Sequence, residues 1–93
     1  MIKSFASRET EKLFNRCRST RLPHDIQQVA RRKLEILNAA ESLGDLRIPP
    51  ANRLEKLSGD RKNSFSIRVN RQWRICFEWR GCDAYNVEIT DYH

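Results

Sequence analysis

Three segments in the second half of the chain alternate between apolar and polar residues. They span residues 64–69, 73–79 and 85–90, and short polar turns at 70–72 and 81–83 separate them. A period of two is typical of a strand that buries one face and leaves the other in solvent. The segments therefore predict an antiparallel meander with its apolar face on the core. The residues predicted on that face are Phe65, Ile67, Val69, Trp73, Ile75, Phe77, Trp79, Tyr85, Val87 and Ile89.

The first half of the chain has the spacing of helices instead. Acidic residues after Ser7 favour a short first helix, with Leu13 and Phe14 on its buried side near Phe5. A longer helix is predicted to open at Pro23 and to end at a C′ glycine, Gly44. Its buried face would hold Ile26, Val29, Ala30, Leu34, Leu37 and Ala40. Its solvated face would hold Arg31, Arg32, Lys33 and Glu35.

The remaining segments complete the predicted architecture. Residues 1–5 suit an edge or starter strand, and residues 45–57, interrupted by two prolines, are expected to be irregular with one short turn. The helices are the only elements available to cover the apolar face of the sheet. We therefore expect one α+β domain over residues 1–93, with two N-terminal helices packed on one face of a small antiparallel sheet.

The charge of the chain narrows the choice of partner. It has 93 residues, with 18 Lys and Arg against 12 Asp and Glu, and a formal net charge of +6. Such an excess attracts polyanions, with nucleic acid the leading candidate ahead of acidic proteins and anionic membrane surfaces. A purely solubilising role for the charge is the alternative. No apolar run approaches the roughly 20 residues of a membrane span, and we expect no secretion signal and no membrane partner.

The cysteines indicate a reducing compartment. Cys17, Cys76 and Cys82 cannot all pair within one chain, and none lies in a C-x-x-C motif. We expect reduced thiols in the cytoplasm, with Cys76 in a packing role. The spacing does not favour a zinc site, and we expect neither a metal nor a cofactor.

The outer face of the predicted sheet gathers groups that suit RNA. The register that pairs the apolar residues also places Arg68 opposite Arg74, and like charges facing each other favour a bound anion. Thr90 would lie beside Arg74 and near Tyr92, whose ring can stack on an unpaired base. His93 can transfer protons near neutral pH. Because the 2′-OH of RNA can itself attack the phosphate, such a site needs neither a metal nor a protein nucleophile.

Blander explanations exist for the same residues. His93 is equally explained as an idle, frayed end of the chain. Arg68 and Arg74 could instead form cross-strand pairs with Glu88 and Glu78. The pattern alone leaves RNA cleavage and simple RNA binding both open.

Four stretches of the sequence together resemble the HigB toxins, which with the related GraT belong to the RelE/ParE superfamily of bacterial toxin–antitoxin systems. They are the opening Met-Ile-Lys-Ser-Phe, residues 54–61, residues 66–77 with Asn-Arg-Gln-Trp-Arg, and the closing Asp-Tyr-His. The resemblance covers essentially the whole chain in order and spacing. It implies a RelE-like fold and a ribosome-dependent, metal-independent endoribonuclease that cleaves messenger RNA and inhibits translation. It also implies a HigA-type antitoxin with a helix-turn-helix domain, so that DNA is contacted only indirectly.

The resemblance also implies roles for particular residues. Arg74 would stabilise the charge of the phosphorane, and Asp91, Tyr92 and His93 would form the catalytic end of the chain. Tyr92 would position or stack the substrate, His93 would carry a proton, and Asp91 would at least orient its neighbours.

The loop before the Gly-Asp-Arg turn departs from the family pattern. Well-known HigB enzymes carry a His and a Lys there, and this sequence has Glu55 and Ser58 in what look like the same positions. Glu55 would replace the His as general base, since a carboxylate can accept the 2′-OH proton. The alternative is a slower, milder enzyme in which the loop only grips phosphates. The residues expected to bind RNA are Arg53, Lys56, Arg61 and Arg68.

Two other functions compete with this one. ParE members of the same superfamily inhibit DNA gyrase and are not nucleases, and a non-catalytic RNA-binding module would also use the basic surface. The terminal Asp-Tyr-His argues against a pure inhibitor, which has no need of a proton carrier beside two arginines.

Overall fold

The structure is a computed structural model that describes residues 1–57 and 63–91. Within these residues, two α-helices, α1 (Arg8–Phe14) and α2 (His24–Ala39), precede two short 3-10 helices and a four-stranded sheet. The 3-10 helices span Leu43–Arg47 and Pro50–Asn52. The strands are β1 (Glu55–Lys56), β2 (Ser64–Arg68), β3 (Trp73–Arg80) and β4 (Asp83–Asp91). They are antiparallel and lie in the order β1-β2-β3-β4, so the predicted α+β class is confirmed.

Helix α1 forms as the sequence predicts. The hydroxyl oxygen of Ser7 accepts a hydrogen bond from the Thr10 backbone N–H at 3.3 Å, which caps the N-terminus. Leu13 is fully buried. The rings of Phe5 and Phe14 lie 5.6 Å apart, so the first residues of the chain pack on this helix.

Helix α2 begins where the sequence predicts but ends earlier. Its first residue is His24, with Pro23 at the N-cap, and it ends at Ala39, because Ala40 adopts an extended conformation with ψ 135°. Ser42 and Asp45 then form a capping box that starts a new 3-10 helix. The prediction that Gly44 terminates α2 is therefore wrong, since Gly44 lies inside that second element.

The prediction that Lys33 lies on the solvated face of α2 is wrong. Lys33 is only 7% exposed, and its ammonium donates a hydrogen bond to the side-chain oxygen of Asn52. Arg31 is half-buried, and its Nε donates to the Leu13 carbonyl at 3.2 Å. The cause is tertiary, because the 3-10 helix that ends at Asn52 lies against this side of α2.

The β2–β3 hairpin has the predicted register. Ile67 pairs with Ile75, Phe65 with Phe77, and Arg68 with Arg74. The sequence did not predict the two-residue strand β1, which extends the sheet at the β2 edge. The segment 45–57 also contains the end of one 3-10 helix and the whole of a second rather than one short turn.

The β3–β4 pairing contains a bulge that moves Tyr85 to the outer face. The register shifts by one residue between Cys76 and Glu78, and Asn86 lies at the shift with a left-handed φ of 52°. An extra residue on one strand reverses which side chains face the core beyond it. Tyr85 is therefore opposite Glu78, and Ala84 is fully buried in the core instead. The prediction of Tyr85 on the core face is wrong.

The first residues of the chain protect the β4 edge. Ile2 and Phe5 form isolated parallel bridges with Ala84 and Val87. Backbone hydrogen bonds reinforce both bridges, including Lys3 N–H to the Ala84 carbonyl at 2.8 Å. The expected starter strand thus takes the form of two bridges at the sheet edge.

The core lies between the helices and one face of the sheet. Its fully buried members include Leu13, Leu34, Leu37, Ile67, Ile75 and Val87. Cys76 is buried on strand β3, while Cys17 and Cys82 are exposed, and all three thiols are free. Within the described residues, no helix combines the length and the apolar character needed to cross a membrane.

Candidate active site

Arg74 is the centre of the candidate site on the outer face of the sheet. It is only 7% exposed, and its Nε donates a hydrogen bond to the hydroxyl oxygen of Ser66 at 2.8 Å. Its Nη2 donates to the backbone carbonyl of Arg53 at 2.6 Å and lies 3.4 Å from the carbonyl oxygen of Ser66. Three oxygens from two chain segments therefore fix the orientation of this guanidinium.

Arg74 is less open to solvent than we expect for a residue on the outer face of a sheet. The residue does lie on the outer face, but the chain around Arg53 and strand β1 passes beside its guanidinium. The cross-strand pairing of Arg74 with Glu78, the blander alternative, is not found. Glu78 instead accepts a hydrogen bond from the side-chain amide of Asn86 and contacts the guanidinium of Arg80 at 2.9 Å, and these two contacts, Asn86 first, lower the pKa of its carboxyl.

Glu55 brings a carboxylate to Arg74. It pairs with Ser66 in the β1–β2 ladder, so its side chain shares the face that carries Arg74. Its Oε1 lies 3.8 Å from Nη1 of Arg74, and its side chain is 57% exposed. At that distance and exposure the ion pair contributes no more than about 1 kcal/mol. Glu55 is therefore placed beside the arginine without being locked to it.

Arg68 and Arg53 complete a basic cleft around Arg74. Arg68 is the cross-strand partner of Arg74, and its Nε donates to the Asn70 carbonyl at 3.1 Å. The cleft, which we call the Arg74 cleft, has a volume of about 360 Å³. Its lining residues are Arg53, Glu55, Arg68, Asn70, Arg71 and Arg74.

Three residues of this neighbourhood were missed in the sequence. Ser66 is the hydrogen-bond acceptor of Arg74, and Asn70 and Arg71 line the cleft from the β2–β3 turn. For Ser66 the predicted register carried a signal, since it places Ser66 on the face of Arg74, two pairs further along the hairpin. Asn70 and Arg71 had no such signal in the sequence, apart from being close to Arg68.

The structure does not bring every predicted residue to this cleft. Lys56 pairs with Phe65, is exposed and is absent from the lining of the cleft, because side chains alternate between faces along β1. Asp91 is opposite Trp73, and its carboxylate accepts a hydrogen bond from the side-chain amide of Gln72 at 3.0 Å. Arg61, Tyr92 and His93 lie outside the described residues.

Thr90 is placed beside Arg74 as the sequence predicts. The two residues are cross-strand partners in the β3–β4 ladder. The hydroxyl oxygen of Thr90 is buried and has no hydrogen-bond partner within the described part of the chain. A buried hydroxyl without a partner is uncommon, and a bound water or ligand is one way to satisfy it.

The chemistry of the cleft suits a phosphodiester. Arginine guanidinium groups donate paired, charge-assisted hydrogen bonds to phosphate oxygens. One fixed guanidinium, three further arginines and one exposed carboxylate supply charge stabilisation and a proton acceptor within one cleft. Within residues 1–57 and 63–91, no group of three or more His, Cys, Asp or Glu is placed to hold a metal ion.

Comparison with known proteins gives consistent matches. A family model described as the RelE-like toxin of the type II toxin–antitoxin system HigB matches residues 3–93. The toxin HigB-1 of Vibrio cholerae serotype O1 is 46% identical over 71 residues, which cover 76% of this chain and 75% of that protein. The endoribonuclease HigB of Proteus vulgaris is 34% identical over 94 residues, which cover 100% of both. An uncharacterized protein of Haemophilus influenzae is 37% identical over 73 residues, covering 78% of this chain and 72% of that protein.

Proposed function

Since the chain belongs to the HigB-like family of RelE-like toxins of type II toxin–antitoxin systems, we propose that it is an endoribonuclease that cleaves messenger RNA on the ribosome and so inhibits translation. The observation that carries the proposal is the fixed guanidinium of Arg74 in a basic cleft beside Glu55. The family match favours this function over gyrase inhibition or simple RNA binding.

The proposed reaction uses the 2′-OH of the RNA as the nucleophile. Its oxygen attacks the adjacent phosphorus while a base takes its proton, and the bond from phosphorus to the 5′-oxygen breaks. The 5′-oxygen leaves with a proton from an acid. The products are a 2′,3′-cyclic phosphate and a 5′-hydroxyl, so no water, metal or protein nucleophile enters this step.

Arg74 is the proposed stabiliser of the charge that develops on the phosphoryl oxygens. A donor that is already oriented costs no reorganisation when the charge forms, and such donors contribute about 10²–10³ in kcat. Ser66 and the Arg53 carbonyl provide this orientation. They occupy Nε and one Nη nitrogen, while the edge of the guanidinium that carries Nη1 faces Glu55.

Glu55 is the proposed general base, and the chain terminus the proposed source of the acid. The exposed carboxylate of Glu55 can accept the 2′-OH proton without first leaving a strong ion pair. His93 is proposed to give the proton to the leaving 5′-oxygen, with Tyr92 positioning the substrate and Asp91 orienting the terminus. Arg53, Lys56, Arg61 and Arg68 are proposed to bind RNA phosphates.

A type II toxin implies an antitoxin partner. We propose that this partner is a HigA-type protein with a helix-turn-helix domain, so that the toxin meets DNA only through it. Because messenger RNA and ribosomes are the proposed targets, the proposed location is the cytoplasm, and no cofactor is required.

The test is to express the wild type, Arg74→Ala and His93→Ala and to map message ends by primer extension. We expect growth arrest and new ends at codon spacing with the wild type, and neither with the two variants. Arg8→Ala, which removes an exposed arginine of α1, is the matched control and should behave as the wild type. Growth arrest without new RNA ends would contradict the proposal and point to another target.

A further inference from the structure

A second groove, which extends beyond the proposed cleavage site, lies between α2 and the turn that joins β2 to β3. We call it the α2 groove, and its volume is about 520 Å³. Helix α2, the second 3-10 helix and the end of β2 contribute its walls. The lining residues are Val29, Arg32, Lys33, Ala51, Arg53, Arg68, Val69, Asn70 and Arg71.

The described residues that line the α2 groove concentrate positive charge. Within the described part of the chain, its lining holds four arginines and one lysine and no Asp or Glu. None of these five side chains forms an ion pair with a described carboxylate. Like charges this close repel one another, so the arrangement lowers stability unless an anion enters the groove.

The burial of Lys33 shows that solubility alone does not explain the positive charge of the α2 groove. Solubility requires charges in solvent, whereas Lys33 is only 7% exposed and its ammonium contacts an amide oxygen rather than a carboxylate. Burial, and then the charge of Arg32, lower the pKa of this ammonium. A buried cation without a counter-charge is costly to the fold, and costly features cluster at functional sites.

The α2 groove is continuous with the Arg74 cleft. Four residues line both, namely Arg53, Arg68, Asn70 and Arg71. An RNA strand bound at Arg74 can therefore pass directly into the α2 groove. We propose that the α2 groove binds the phosphate backbone of the messenger RNA on one side of the cleaved bond. This inference rests on the proposed function and extends its substrate site beyond the reacting phosphate.

The groove fits an RNA strand better than an acidic protein segment. Arginine forks match phosphate oxygens, and among the described residues only Val29, Ala51 and Val69 offer apolar surface to anchor a peptide. Arg32 and Arg71 are exposed at the groove, so removing either one should leave the fold intact.

The test measures cleavage of messages of different length on programmed ribosomes, with a transfer RNA fixing the reading frame. The substrates are a long message and versions truncated close to the cleaved codon on the 5′ side, on the 3′ side, or on both. Wild type, Arg32→Ala and Arg71→Ala are compared, with Arg8→Ala as the charge-matched control. Thermal unfolding of each variant checks the fold.

We expect Arg32→Ala to raise KM on the long message about fivefold at 0.1 M salt, the effect of losing one single-strand phosphate contact. Its kcat should not change. The increase in KM should disappear when the message is truncated on one of the two sides, and it should persist when the message is truncated on the other side. A KM effect that persists on the doubly truncated message would overturn the inference, since the contact would then be with ribosomal RNA or protein. An unchanged KM on the long message would also overturn it. A wild type that cleaves no message would instead contradict the proposed function itself.

Discussion

At the residue scale, Arg74 shows why a charged side chain can be both buried and useful. Its guanidinium keeps hydrogen bonds to Ser66 and to the Arg53 carbonyl, so burial leaves it solvated by the protein. Its contact with Glu55 is longer, at 3.8 Å, and adds little. The fork geometry of arginine is therefore essential to the arrangement, and a lysine cannot reproduce it.

Arg74→Lys tests that geometry. We expect kcat to fall by about 10²–10³, because a single ammonium cannot keep both oriented hydrogen bonds and still face the phosphate. Arg80→Lys on the same strand is the matched control, since Arg80 is exposed and bonds Glu78 instead. Cleavage of a programmed message under single-turnover conditions measures the effect. A loss of less than about fivefold would contradict a role in charge stabilisation.

Lys33 gives a second residue-scale prediction, on stability against pH. Burial lowers its pKa in the folded chain below the ordinary 10.5, so between the two values the unfolded chain binds more protons. Stability therefore rises with pH in that window, as the buried ammonium loses its charge. Below the folded pKa the full cost of burying the ammonium remains.

We expect the free energy of unfolding of the wild type, relative to Lys33→Met, to increase as the pH rises towards 10.5. Urea unfolding at each pH measures the difference, and Lys3→Met controls for loss of an exposed lysine. A difference that stays constant up to pH 10.5 would contradict a lowered pKa of the buried ammonium.

At the scale of elements, the β3–β4 bulge decides what the outer face presents. Asn86 lies at the bulge with φ 52°, a conformation that asparagine tolerates better than most residues. Beyond it, Tyr85 reaches the outer face, where the Arg80 guanidinium lies 5.0 Å from the ring centroid. Without the bulge, Tyr85 would compete with core residues for space above α1 and α2.

Asn86→Val tests the backbone requirement. A β-branched residue in the left-handed region costs about 1–2 kcal/mol, so this variant should be less stable than Asn86→Gly by that amount. Both variants lose the side-chain bond to Glu78, so their difference isolates the backbone effect. Urea unfolding measures it, and equal stability would mean that the strand has shifted its register.

At the scale of the whole molecule, the first residues connect three parts of the chain. Their backbone bonds β4, the Ile2 N–H donates to the side-chain oxygen of Asn38 at 2.9 Å, and Phe5 packs on Phe14. The β4 edge, which would otherwise offer unpaired backbone groups, is thereby covered.

Removal of residues 1–5 tests this protection. We expect stability to fall by roughly 2–4 kcal/mol and the protein to self-associate with rising concentration, because a sheet edge becomes free. Thermal unfolding and size-exclusion chromatography measure the two effects. Asn38→Ala, which removes only the acceptor for Ile2, should cost less and remain unassociated. A monomeric truncated protein of unchanged melting temperature would contradict the prediction.

The elements that have a periodic residue pattern could be predicted from the sequence alone. Alternating residues predicted β2, β3 and β4 and the pairing of Arg68 with Arg74, and helical spacing predicted α1 and most of α2. A hairpin fixes its register through local pairing of apolar residues, and this information lies within a short stretch of chain. The roles proposed for Asp91, Tyr92 and His93 rest on the resemblance to the family and stay predictions.

The features that depend on contacts between distant segments could be seen only in the folded chain. Lys33 is buried because Asn52 folds against α2, and Arg74 is enclosed because the chain at Arg53 passes beside it. Strand β1 forms only by pairing with β2. The bulge at Asn86 reverses which side chains of β4 face the core. No repeating pattern in the sequence marks any of these features. The continuity of the two grooves, which together form one basic surface, is therefore visible only after folding.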